Sequence, residues 1–198
     1  MEQKKVVIII GKSGSGKTSI KNKLLEKDRT LFHNVINFTT RPQREGEKEG
    51  DPYFFCSEKD VVNLIFAQEV VECTSFNEWL YGTFYNAFSP KLINIGVWNP
   101  ESAEILNDEE EFDCLNVLIQ TDDKVRLIRS LSRDSKVDVN EVIRRYKADE
   151  KDFSNLSFDN LLTFDNNDEN LDELVDNIYF NIKQFYNCNF GQNMETKI

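Results

Sequence analysis

Histidine and cysteine are scarce in this chain: one histidine, His33, and four scattered cysteines, Cys56, Cys73, Cys114 and Cys188, in 198 residues. No C-x-x-C spacing occurs, so buried or incidental thiols are expected rather than a disulfide framework or a zinc site, and redox chemistry is not indicated. His33 falls in an expected loop and carries no acid–base assignment. Long apolar runs are missing as well. The longest aliphatic stretch, Val6 to Ile10, is far short of the ~20 residues of a membrane span. The opening MEQKKVV has no small-residue cleavage site, and a cytoplasmic protein is expected. Positive charge is in deficit, with 24 Lys and Arg against 35 Asp and Glu and a formal net charge of -11. That balance excludes a surface built to hold duplex nucleic acid or an anionic membrane, since each needs net positive potential.

A free nucleotide needs only a local basic pocket, and basic residues gather in two places. Arg41 and Arg44 form one cluster. The stretch from Lys124 to Lys147 forms the other, with Arg126, Arg129, Arg133, Lys136, Arg144 and Arg145 between its ends and only Asp134, Asp138 and Glu141 against them. Hydrophobic residues make up 39% of the chain, enough to fill the core of one α/β domain.

The run Gly11-Lys12-Ser13-Gly14-Ser15-Gly16-Lys17-Thr18 satisfies G-x-x-x-x-G-K-[ST] directly after the strand-forming Val6 to Ile10 and before a helical SIKNKLLEK. The physical reading is a phosphate cradle. Gly11, Gly14 and Gly16 let successive N–H groups, those of Ser13 and Ser15 included, turn toward a polyphosphate at the positive end of the following helix. Lys17 reaches the β- and γ-phosphates of ATP in this motif, and the Thr18 hydroxyl is the expected Mg²⁺ ligand.

Periodicity predicts strands at Val6 to Ile10, Val35 to Phe38, Tyr53 to Phe55, Leu92 to Val97, Leu115 to Ile119 and Leu161 to Phe164. Helices are expected from Thr18 to about Lys27, over SEKDVVNLIFAQ with Ser57 as cap, over PESAEIL, and over LDELVDNIYFNIKQF near the end. TTRPQREGEKEGDPYFF reads as a loop, VVECTSFNEWLYGTF as strand pairs of a small sheet. Leu127, Leu131 and Val142 look like packing positions of a basic helical segment. Strands alternating with helices imply a parallel core sheet flanked by helices.

Thr39-Thr40-Arg41-Pro42-Gln43-Arg44-Glu45-Gly46-Glu47, followed by Gly50, Tyr53 and Phe54, resembles the signature of the guanylate kinase family. Glu72 with Tyr81-Gly82-Thr83 is similar to that family's acceptor-nucleotide motif, and Arg129-x-x-x-Arg133 with Glu141-Val142-Ile143-Arg144-Arg145 resembles its lid. These blocks, in order, span roughly three quarters of the chain. The resemblance implies a P-loop NTPase fold in one domain over residues 1–198. Its core comprises residues 1–35, 91–123 and 151–186, with a small mixed α/β acceptor-binding insert at 36–90, a helical lid at 124–150 and a tail at 187–198. It implies phosphoryl transfer from MgATP to a nucleoside monophosphate, GMP or dGMP foremost. Arg41, Arg44, Tyr53 and Tyr81 would grip the acceptor phosphate, which suits planar guanidinium forks and hydroxyl donors. Glu72 would accept from the N1–H and exocyclic amine of guanine, with Thr83 adding a hydroxyl contact. The Asn37 amide stands where a serine usually faces the guanine carbonyl, or is an ordinary turn residue. Lys17, Arg129, Arg133 and Arg145 would supply the catalytic charge, and FDNND, Phe164 to Asp168, would sit by the adenine.

Taken singly, loop arginines are usually solvated, a strand glutamate can be an exposed face position, and an isolated tyrosine is usually half-buried packing. One departure bears on the base: the family's Asp-x-Asp pair has no counterpart in INIGVWNP, where Asn94 and Gly96, or Ile95 and Val97, take those places. A same-fold kinase for another deoxynucleotide, a modified nucleotide or ribose 1,5-bisphosphate is therefore an alternative. A non-catalytic binding module is another, although intact Lys17 and Thr18 argue against it. An unrelated ATPase or GTPase should show a strand ending in a metal-organising Asp or an N-K-x-D motif, and neither is present.

Overall fold

The side chains from Val6 to Ile10 are fully buried although they alternate in direction, so this strand has protein on both faces. It is β1 (Lys4–Ile10), the centre of a parallel sheet whose other strands are β2 (Phe32–Asn34), β7 (Ile93–Val97), β8 (Phe112–Gln120) and β9 (Leu161–Asp165) in the spatial order β2-β7-β1-β8-β9. The computed structural model describes residues 2–43, 46–76, 78–132, 137–167 and 170–191. Val7 and Ile9 face α1 (Lys17–Lys27) and α6 (Leu171–Gly191), packing with Ile20, Leu24, Ile178 and Ile182. Val6, Ile8 and Ile10 face α3 (Pro100–Asp108), with Ala103, Leu106 and Trp98.

The segment expected as an insert forms a second sheet, ordered β4-β3-β6-β5 from β3 (Phe38–Thr39), β4 (Phe54–Phe55), β5 (Val70–Phe76) and β6 (Trp79–Phe84). Its helix, α2 (Glu58–Phe66), begins at Ser57, whose hydroxyl accepts the Asp60 N–H at 3.1 Å, as the capping pattern predicts. The strand predicted at Val35 to Phe38 does not form with those bounds: residues 35–37 are a connection between Phe32–Asn34, which pairs with β7 in the core, and Phe38–Thr39, which pairs with β6 in the second sheet. His33 therefore lies in a strand, its ring 3.0 Å from the Ala87 carbonyl.

The segment expected as a lid consists, among the described residues, of α4 (Asp123–Ser132) followed by α5 (Val139–Asp152), which Asp138 caps through the Asn140 and Glu141 amides. The predicted apolar packing of α4 is reversed. Leu127 and Leu131 are 37% and 40% exposed, while Arg126 is 1% exposed. Arg126 turns inward because its guanidinium has partners there: Asp123 at 2.6 Å, Asp149 at 3.1 Å and the Ser13 carbonyl at 3.2 Å. Among the described residues no helix is long and apolar enough to cross a membrane.

Candidate active site

The carboxyl ends of β1 and β7 open into a cavity of about 740 Å³, where the loop after β1, the insert sheet and the lid meet. Such a crevice at strand ends is where open parallel sheets place ligands. In the loop, Gly14 and Gly16 hold φ of 79° and 94°, the left-handed region glycine enters without steric cost. A Cβ on Gly14 would lie 2.5 Å from the Arg126 carbonyl, and one on Gly16 2.4 Å from the Asn166 amide nitrogen. The loop is thus clamped between the lid and the β9 exit. Gly16 caps α1 without a side-chain acceptor, which leaves the helix's first amides to the loop mouth. The Lys17 ammonium curls over that mouth, donating to the carbonyls of Gly11 at 2.6 Å and Lys12 at 3.1 Å. Thr18 is exposed in the first turn of α1, and the Ser15 hydroxyl is buried without a partner among the described residues.

Carboxylates of the lid come down onto the same loop. Asp149 accepts the Ser13 amide at 2.8 Å and lies 3.4 Å from its hydroxyl, while Glu150 ion-pairs with Lys12. Of the cations of α5, Arg144, Arg145 and Lys151 line the cavity, each of the two arginines 2.7 Å from a Glu141 oxygen. Those two guanidinium groups, Arg144 first, hold the Glu141 carboxyl down to about 2. Arg129 donates to the Asn166 carbonyl at 2.9 Å, beside the turn that follows β9. Arg133, like Asp168 of that turn, lies outside the described residues.

On the insert side, Asn37, Tyr53, Glu72 and Tyr81 line the cavity. Glu72 is 3% exposed, and its two oxygens accept from different hydroxyls, Thr83 at 2.6 Å and Ser102 at 2.7 Å. Burial pushes its pKa up, and the hydroxyl donors oppose that shift. The Trp98 indole N–H donates to the Thr83 oxygen at 3.0 Å, and Asn37 stands 3.3 Å from the same hydroxyl with its amide directed at the Val97 carbonyl. The rings of Tyr53 and Tyr81 meet edge to face at 5.8 Å, and burial raises the Tyr53 phenol. Arg41 is buried behind them rather than lining the cavity, its Nη2 donating to both Glu47 oxygens at 2.9 and 3.0 Å and its Nη1 to the Pro42 carbonyl at 2.8 Å. Arg44 lies outside the described residues.

Sequence reasoning passed over Ser102, Asp149 and the buried role of Arg126, because each acts through a partner distant in the chain. Arg144 was visible as half of an arginine doublet. The absence of carboxylates in β7 has a steric counterpart: a Cβ on Gly96 would lie 2.3 Å from the Trp98 ring, which occupies that space. Asn94 points away into the core, bonded to the carbonyls of Lys5 at 3.0 Å and Ser89 at 2.9 Å.

For magnesium, the donor set fits. The Thr18 hydroxyl is a hard oxygen beside the phosphate loop, and Mg²⁺ is commonly held by one or two protein oxygens plus phosphates and water.

The family profile of guanylate kinase matches residues 3–180. The guanylate kinase of Prochlorococcus marinus (strain MIT 9312) is 30% identical over 183 residues, taking in 87% of this chain and 96% of that protein. The guanylate kinase of Anaplasma phagocytophilum (strain HZ) is 35% identical over a shorter stretch of 80 residues, 40% of this chain and 36% of that one. The crystal structure of guanylate kinase from Anaplasma phagocytophilum superposes with a TM-score of 0.63 at 20% identity, covering 98% of this chain and 89% of the other, which is a likeness of fold. With the phosphate loop, insert and lid gathered about one cavity, and with a profile match running through most of its length, the chain belongs to the guanylate kinase family of phosphotransferases.

Proposed function

We propose that the protein transfers the γ-phosphoryl group of ATP to GMP or dGMP, yielding ADP and the nucleoside diphosphate. The observation that carries this reading is the single cavity lined by Lys17 of the phosphate loop, Glu72 and Tyr81 of the insert, and Arg144 and Arg145 of the lid. Phosphoryl transfer asks little covalent chemistry of a protein. It needs donor and acceptor in line and charge neutralised on the moving phosphoryl oxygens. The loop amides and Lys17 bind the ATP phosphates, and Arg144 and Arg145 lie across the cavity to meet charge on the transferring group. Arg129, anchored at the Asn166 carbonyl, borders the nucleoside end of the donor site. The Thr18 hydroxyl would hold Mg²⁺, which would supply charge neutralisation at the phosphates.

For the acceptor, the buried Glu72 carboxylate offers acceptors only, matching the N1–H and 2-amino donors of guanine and opposing the N1 acceptor of adenine. Tyr53, Tyr81, Arg41 and Arg44 are the groups assigned to the acceptor phosphate; Arg41 would exchange its Glu47 contact for it. A coupled ADP-release assay with MgATP against GMP, dGMP, AMP, dTMP, CMP and UMP tests the reading, with Lys17→Ala as blank. Turnover confined to the two guanine nucleotides is expected. Activity on another base moves specificity to Asn37, Thr83 and the altered β7, and no activity above the blank overturns the kinase reading.

A further inference from the structure

Glu72 is served from two directions. One is its own sheet, where Thr83 of β6 donates to Oε1 and accepts from the Trp98 indole that follows β7. The other is the first turn of α3. There the Ser102 hydroxyl donates to Oε2 at 2.7 Å, and the Asn99 amide donates at 3.0 Å to Thr74, whose hydroxyl lies 3.5 Å from Ser102. Indole and amide N–H groups only donate, so each chain of hydroxyls is oriented toward the carboxylate. Ser102 is itself fixed: its N–H is capped by the Asn99 side chain at 2.7 Å, and it is 3% exposed. The positive end of the α3 backbone adds to the stabilisation of a negative charge beside that turn. No carboxylate of β7 shares this work, because Trp98 covers Gly96 and Asn94 is turned into the core.

We propose that Ser102 is a positioning residue for acceptor recognition, holding the Glu72 carboxylate aimed at a purine edge that presents two N–H donors. The inference rests on the functional reading above and adds a residue outside the insert to it. Loss of the Ser102 hydroxyl leaves one oxygen of a buried carboxylate without its donor, a defect felt by the acceptor and not by ATP.

The test is steady-state kinetics on the full chain with Ser102→Ala and Ser102→Thr, both substrates varied. Ser102→Ala is expected to raise the KM for GMP roughly 10- to 50-fold, the scale of one charged hydrogen bond. The expected kcat and KM for ATP stay within about two-fold, and Ser102→Thr restores most of the loss. A GMP KM unchanged in Ser102→Ala, or a loss shared equally by the KM for ATP, overturns the proposal. Should Ser102→Ala not fold, Ser102→Cys, a weaker donor of similar size, is expected to shift the GMP KM in the same direction, and an unaltered value overturns it. Wild-type protein that turns over GMP while the variants match it sinks this inference alone, whereas wild-type protein inert toward GMP and dGMP sinks the functional reading with it.

Discussion

Glu72 shows how one residue changes meaning with its surroundings. In the sequence it is a strand glutamate; in the fold it is a carboxylate at 3% exposure with both oxygens engaged. Replacing it with Gln substitutes a donor for an acceptor at the base-reading position. Glu72→Gln is expected to raise the KM for GMP about 100-fold or more, while ATP affinity measured by calorimetry is retained. Gly96 is constrained for a different reason, since the Trp98 ring lies within 2.3 Å of where its side chain would begin. Gly96→Ala must displace that ring and with it the indole donor to Thr83. A loss of about 1–3 kcal/mol in denaturant unfolding is expected from the overpacking, accompanied by a weaker GMP site.

Among the elements, the lid depends on charge where the core depends on apolar burial. Arg126 connects α4 to α5 and to the phosphate loop through Asp123, Asp149 and the Ser13 carbonyl. Asp149→Ala removes one partner of a nearly fully buried guanidinium, and an unfolding free-energy loss of roughly 3 kcal/mol is expected, read by chemical denaturation. Within α5, Glu141 titrates near 2 rather than at its ordinary 4.5 because Arg144 and Arg145 favour its charged form. A depressed folded-state value means the contribution is complete above the unfolded value and is lost as pH falls. The difference in α5 amide protection between wild type and Glu141→Gln is thus expected to be full above about pH 4.5 and to vanish by about pH 2, by hydrogen exchange.

At the scale of the whole molecule, core, insert and lid share one cavity, so a ligand filling it ties the three together. Saturating ATP at about 100 times its dissociation constant stabilises the folded state by ~2.7 kcal/mol. For a chain of this size that corresponds to a thermal shift of roughly 5–10 °C, expected in wild type by scanning fluorimetry and absent in Lys17→Ala. Despite the net charge of -11, Lys17, Arg144, Arg145 and Lys151 line this cavity, alongside the carboxylates Glu72, Glu101, Glu104, Asp149 and Asp152.

Much of this was legible in the chain itself. The unbroken run Val6 to Ile10 is the central strand because only a sheet covered on both faces tolerates such a run, and the glycine spacing after it defines the loop because φ of 79° and 94° demands glycine. The helix cap at Ser57 is a local hydrogen bond and follows from local sequence. Tertiary structure alone decided three matters. It turned Arg126 inward and left Leu127 outward, by bringing Asp149 and Ser13 within reach. It made a connection between two sheets of most of the strand predicted at Val35 to Phe38, since pairing partners are distant in the chain. And it set Ser102 against Glu72, 30 residues apart, because a hydroxyl's function is chosen by whatever acceptor folding brings to it, which no local pattern encodes.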